Sequence, residues 1–128
     1  ESRGLGDVYK RQALGCAQLE NLDRYVADKR ETAARYVEFF KGKEDITFFT
    51  EPADCKSNYW LNAVVLKDKA AQLDFLEYTN DHGVMTRPVW ELMNRLPMFE
   101  HCETDGLENT EWLADRVVNI PSSVRLDK

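Results

Sequence analysis

Between Ala13 and Lys41 apolar residues recur at three- and four-residue steps. Leu19, Leu22, Val26, Ala33, Tyr36, Val37 and Phe40 form the repeat, with Glu20, Asp23, Lys29 and Arg30 between them. That period lays the apolar set along one stripe of an α-helix and predicts a single long helix, stopped at Gly42. Ile46–Thr50 then predicts a strand, broken by Glu51-Pro52-Ala53-Asp54. Tyr59–Leu66 is the strongest strand signal, rich in Tyr, Trp and Val, and its near-continuous apolar run predicts burial on both faces. Lys67-Asp68-Lys69 opens a second helix with Ala70, Leu73 and Leu76 as its inner row, and Gly83 suits the left-handed position at its end. Val84-Met85-Thr86 predicts a short strand stopped by Pro88, and Trp90 to Asp105 a loop or broken helix around Pro97. Asn109–Val118 predicts a last helix, capped by Asn109, with Trp112, Leu113, Val117 and Val118 apolar. The order helix–strand–strand–helix–strand–helix implies an α+β layer, with helices packed on a short sheet.

Length and charge narrow this picture. The 128 residues make one domain or part of one. The run Asp7-Val8-Tyr9-Lys10-Arg11-Gln12 has the wording produced when a transposon-end sequencing adapter is translated in frame. Residues 1–12 are therefore expected to be a foreign leader, and 13–128 the domain. The chain carries 17 basic and 23 acidic side chains. Setting aside Arg3, Lys10 and Arg11 with Glu1 and Asp7 leaves 14 basic and 21 acidic groups, a net of −7. An acidic chain without a basic block is a poor partner for nucleic acid or anionic lipid. No apolar run approaches the roughly 20 residues that span a bilayer.

Little in the chain reads as a catalytic motif. Cys16, Cys55 and Cys102 are odd in number and far apart, which suggests reduced cytoplasmic thiols rather than a disulfide framework. His101-Cys102 is the only adjacent pair of metal-ligand types and His82 stands alone, so no metal site is expected. Ser57, Ser122 and Ser123 lie outside any nucleophile elbow, and no phosphate-loop glycine run exists. Lys29, Lys41, Lys43, Lys56, Lys67, Lys69 and Lys128 sit in polar contexts where a solvated side chain is the default. Two segments stand out. Ser57-Asn58-Tyr59-Trp60-Leu61-Asn62 puts amides and aromatics at the head of the best strand, and Thr86-Arg87-Pro88-Val89-Trp90 puts a cation beside an indole. An Arg fork with flat aromatic faces suits a phosphate-bearing, ring-containing ligand. The plainer alternative is that Trp60 packs in the core and Arg87 pairs with a surface acid.

The same segments carry a family resemblance. Ala13-Leu14-Gly15-Cys16-Ala17-Gln18-Leu19-Glu20-Asn21-Leu22-Asp23 resembles the helix opening the small C-terminal domain of the DegT/DnrJ/StrS family of pyridoxal-phosphate-dependent nucleotide-sugar aminotransferases. Ser57-Asn58-Tyr59-Trp60, His82-Gly83-Val84-Met85-Thr86-Arg87-Pro88, Leu96-Pro97-Met98-Phe99 and Asn119-Ile120-Pro121-Ser122-Ser123 extend the match, in order, from Ala13 to Leu126. The wording is similar to the branch serving legionaminic-acid and bacillosamine synthesis, a route to nonulosonic acids. Many relatives carry a Pro-Leu-His step after the third strand; here that region reads Glu91-Leu92-Met93-Asn94, so ligand contacts are not carried over there.

The resemblance implies a fold-type-I aminotransferase, normally a homodimer. Its pyridoxal phosphate would be held by a lysine and an acid of the large domain, and amino transfer would run from a donor such as glutamate to a UDP- or GDP-linked 4-keto-6-deoxy sugar. The leader stands where the family's cofactor-contacting asparagine segment is expected. A C-terminal fragment without catalytic or cofactor-binding residues is therefore expected to be inactive alone. Asn58, Tyr59, Arg87 and Trp90, with Trp60, are the expected rim of the sugar-nucleotide site. A free-standing small-ligand-binding or regulatory α+β domain is the alternative, and a purely structural domain a third.

Overall fold

The computed structural model describes residues 5–125; Glu1, Arg3, Leu126 and Lys128, which entered the reading above, lie outside them. Helices α1 (Leu5–Glu20) and α2 (Leu22–Phe40) are followed by strands β1 (Ile46–Phe48) and β2 (Asn62–Leu66). Next come helix α3 (Lys69–Asp81), strand β3 (Arg87–Pro88), helix α4 (Glu108–Ala114) and strand β4 (Val117–Ile120). The strands form one antiparallel sheet in the order β1-β2-β4-β3. Phe48, Val64, Leu66, Val118 and Ile120 bury against Ala33 of α2, with Tyr36, Val37, Phe40, Phe75 and Leu76 packed around them. The α+β class and the helix-on-sheet layering follow the sequence reading.

The single helix predicted over 13–41 is in fact two. At Asn21 the side-chain amide donates to the Ala17 carbonyl (2.9 Å), while the backbone N–H turns to Gln18 (3.2 Å). The side chain thus takes the carbonyl that a continuous helix would give to the backbone, and the ladder breaks there. Residues 7–20 of α1 are exposed throughout, whereas α2 supplies the helix packed on the sheet.

Four other expectations are corrected. First, β2 begins at Asn62, because Tyr59 is in the left-handed region (φ 47°) and local bonds occupy the backbone before it. Ser57 Oγ accepts from Tyr59 N–H (3.0 Å) and Asn58 Oδ1 from Trp60 N–H (2.9 Å), turns that compete with a strand ladder. The strand also alternates buried and half-buried positions, so only one face lies in the core. Second, α3 is rotated by about one residue: its inner face is Ala71, Gln72, Phe75 and Leu76, with Ala70 and Leu73 exposed. Asp68 caps it by accepting from Ala71 N–H (2.8 Å), and Gly83 ends it at φ 76° as expected.

Third, the strand expected at Val84–Thr86 forms at Arg87–Pro88 instead. Thr86, 4% exposed, is held down on α3 by Thr79 Oγ1 (2.6 Å) and Asn80 Nδ2 (3.0 Å). Pro88 is tolerated because β3 is an edge strand. Fourth, the last helix stops at Ala114, and its expected end, Val117–Val118, belongs to β4, an interior strand. Asn109 lies inside α4; the residue before the helix is Leu107, at φ 54°.

Candidate functional site

At the end of the sheet where β2 begins and β4 ends, an open groove of about 820 Å³ runs between Trp60 and Leu61 on one side and Asn119 to Ser123 on the other. Met85, Arg87 and Trp90 close its far wall, and Lys29 of α2 reaches its edge. Trp60 and Trp90 are 66% and 74% exposed, so both indoles present faces to solvent rather than to the core. The expectation of a core Trp60 therefore fails. Arg87 is exposed, donates from one guanidinium nitrogen to the Met85 sulfur (3.7 Å), and has no carboxylate partner among the described residues. The surface-pair alternative fails with it.

Of the predicted rim, Trp60, Arg87 and Trp90 come together in the groove; Asn58 and Tyr59 do not line it. Those two shape the loop that presents Trp60. Tyr59 stacks on Phe48 (6.4 Å between ring centres), and its hydroxyl accepts from Glu51 N–H (3.2 Å). Arg30 lies over the same ring at 5.7 Å. Its guanidinium also binds Glu51 through both fork nitrogens (2.7 and 3.0 Å) and donates to the Ser57 carbonyl (2.6 Å). The Ser57 N–H donates to Glu51 as well. The Arg30 hydrogen bonds, followed by that from Ser57, hold the Glu51 carboxyl down to about 2, against the opposing effect of burial. Arg30 is raised by the same pair. Loop 51–60 is thereby pinned to α2 from within.

Sequence reasoning missed Lys29, Asn119 and Ser122 as parts of the site. Lys29, expected to be solvated, is half-buried and donates from Nζ to the carbonyls of Trp60 (3.3 Å) and Ser122 (2.5 Å). Asn119 faces Arg87 across the β3–β4 pair. The run Asn119-Ile120-Pro121-Ser122-Ser123 hinted at Asn119 and Ser122, and nothing in the sequence marked Lys29. The lining holds two cations, Lys29 and Arg87, and no Asp or Glu among the described residues. On a chain of net charge −6, this is a local reversal of sign suited to an anion.

A model of the DegT/DnrJ/EryC1/StrS aminotransferase family matches residues 11–128. The chain belongs to this family. Among DegT/DnrJ/EryC1/StrS proteins it is 29% identical over 113 residues to EpsN of Bacillus subtilis (strain 168), named as a pyridoxal phosphate-dependent aminotransferase; the match covers 85% of this chain and 29% of that protein. It is 26% identical over 113 residues to the GDP-perosamine synthase of Vibrio cholerae, covering 86% of this chain and 30% of that one. The crystal structure of the sugar aminotransferase CalS13 from Micromonospora echinospora superposes with a TM-score of 0.73 at 26% identity, over 87% of this chain and 29% of CalS13. The chain thus spans about three tenths of the length of these relatives.

Pyridoxal phosphate chemistry needs a lysine free to form a Schiff base and an acid beside the pyridine nitrogen. In this groove the one lysine, Lys29, is engaged by two carbonyls, and no carboxylate lines the walls among the described residues. These residues do not fit the cofactor. They fit an anion beside a flat ring. No described helix is long and apolar enough to cross a membrane.

Proposed function

We propose that this chain is the C-terminal, substrate-holding part of a pyridoxal-phosphate-dependent aminotransferase. The parent enzyme moves an amino group from glutamate to a UDP- or GDP-linked 4-keto-6-deoxy sugar. One observation carries the reading: the groove pairs Lys29 and Arg87 with two exposed indoles and has no acid in its described lining. A guanidinium fork with no carboxylate partner binds diphosphate oxygens in pairs, and an indole face covers a base or sugar ring. Asn58 and Tyr59 act one step back, by holding the loop that carries Trp60.

In this reading residues 13–128 are the small domain and 1–12 a foreign leader. The cofactor lysine and its acidic partner belong to the rest of the parent, and the chain alone is inactive. The parent is a cytoplasmic homodimer, and the exposed apolar positions Leu14 and Leu19 of α1 are surface for contact with its remainder. In the same reading, which the resemblance to legionaminic-acid and bacillosamine enzymes supports, the product is a precursor of nonulosonic acids.

Arg87→Ala in the full-length parent tests the assignment. Loss of charge-assisted bonds worth about 1.5–3 kcal/mol should raise KM for the sugar nucleotide by roughly tenfold to a hundredfold. KM for glutamate should stay within about twofold. Equal, small changes in both constants would remove Arg87 from the substrate site.

A further inference from the structure

The groove exists because β2 and β4 part company at one end, and the way they part is unusual. Their ladder ends at Asn62 opposite Ile120. Continued in register, it would next set Leu61 opposite Pro121 and Trp60 opposite Ser122. The Leu61–Pro121 step falls on a non-hydrogen-bonded pair, and the next bonded pair, Trp60 with Ser122, is not made, because the Trp60 N–H donates to Asn58 Oδ1 (2.9 Å). The Asn62 N–H instead donates to Ser122 Oγ (2.7 Å), and the Pro121 carbonyl accepts from the Tyr36 hydroxyl of α2 (2.9 Å). The carbonyls of Trp60 and Ser122 then turn toward one ammonium, that of Lys29.

We propose that Lys29 is a positioning residue that holds the groove open, by bridging the diverging ends of β2 and β4 through these two carbonyls. The inference rests on the groove being the sugar-nucleotide site. Two carbonyl oxygens aimed at a common point repel one another; an ammonium between them, with three donors, makes both contacts favourable. The separation of the two lips, Trp60 on one and Ser122 on the other, is then set by a side chain anchored on α2. That helix is held against the sheet by Ala33, 2% exposed. The preceding residue works on the same tail: Asp28 accepts from the Arg125 backbone N–H (3.0 Å) and from its guanidinium (2.8 and 3.1 Å). One turn of α2 therefore fixes the chain after β4 at two points, and the groove's shape depends on Lys29 without Lys29 having to touch the ligand.

The test uses the full-length parent with Lys29→Met, which keeps the stem and removes the donors, and Lys29→Arg, which keeps a cation able to donate to two carbonyls. Lys29→Met should raise KM for the sugar nucleotide about fivefold or more, with KM for glutamate unchanged and kcat moving less than KM. Lys29→Arg should recover KM to within about twofold of the unsubstituted enzyme. Parallel changes in both KM values, no change in either, or an Arg variant as impaired as the Met variant would each overturn the role of Lys29. Arg87→Ala separates this failure from that of the site. If Arg87→Ala shifts the sugar-nucleotide KM and Lys29→Met does not, only the positioning role falls. If neither shifts it, the site assignment falls too.

Discussion

Gln72 offers the sharpest check on how the groove wall is held. It is fully buried on the inner face of α3. Its Nε2 donates to the carbonyls of Ala114 (2.9 Å) and Val117 (2.8 Å), and its Oε1 accepts from Lys69 (2.8 Å). One side chain thus ties α3 to the turn from which β4 enters the sheet, and β4 carries Asn119 to the groove. Gln72→Met keeps length and volume but removes both donors. Each carbonyl left without a partner costs about 1–3 kcal/mol, and the thioether recovers part of this by burying apolar surface. The expected net loss is about 2–4 kcal/mol, a large share of the roughly 5–15 kcal/mol by which small domains are stable. Equilibrium urea unfolding followed by far-ultraviolet circular dichroism reads it directly. With a slope of about 1–3 kcal/mol per molar urea, the midpoint should fall by roughly 1–2 M while the slope itself stays constant. A loss below about 0.5 kcal/mol would show that water satisfies those carbonyls in the variant, and that Gln72 is not what fixes β4.

Two further predictions concern the core and the loop. Val64→Ala removes two carbons from a position with no exposure, at about 0.8 kcal/mol each plus a cavity contribution; a loss near 2 kcal/mol in the same unfolding experiment is expected, and none would mean the core collapses around the gap. The Glu51 carboxyl is depressed to about 2 in the folded chain from an ordinary value of 4.5. The unfolded state therefore binds the extra proton first as pH falls, so its contribution to stability is complete above about pH 4.5 and lost progressively towards about pH 2. Unfolding free energies measured across that window should converge between the parent chain and Glu51→Gln as pH drops. A difference that does not depend on pH would assign the effect of Glu51 to packing rather than to its charge.

Much of this architecture was legible from contiguous residues. The stripe on α2, the start of α3 at Lys67-Asp68-Lys69 and the turn at Gly83 are local matters of period and backbone freedom, decided within a few residues of one another. Trp60, Arg87 and Trp90 were also readable as candidates, because a cation and indoles beside strand ends are conspicuous in any order. The identity of β4 was not. Four residues are too few to display a period, and Val117–Ile120 is a strand because β2 and β3 supply hydrogen bonds on both sides. The rotation of α3 was likewise settled by packing, since the polar Gln72 faces inward only because two carbonyls from a distant turn await it.

The groove itself was the least visible. Lys29, Trp60, Arg87 and Ser122 lie far apart along the chain, and no local pattern marks Lys29 as different from the other lysines. What distinguishes it is where two carbonyls end up after β2 and β4 separate. The sequence by itself determined the family, the α+β class and the kinds of side chain available for a ligand. Which of them meet, and which merely hold the others in place, depended on long-range strand pairing that no local period encodes.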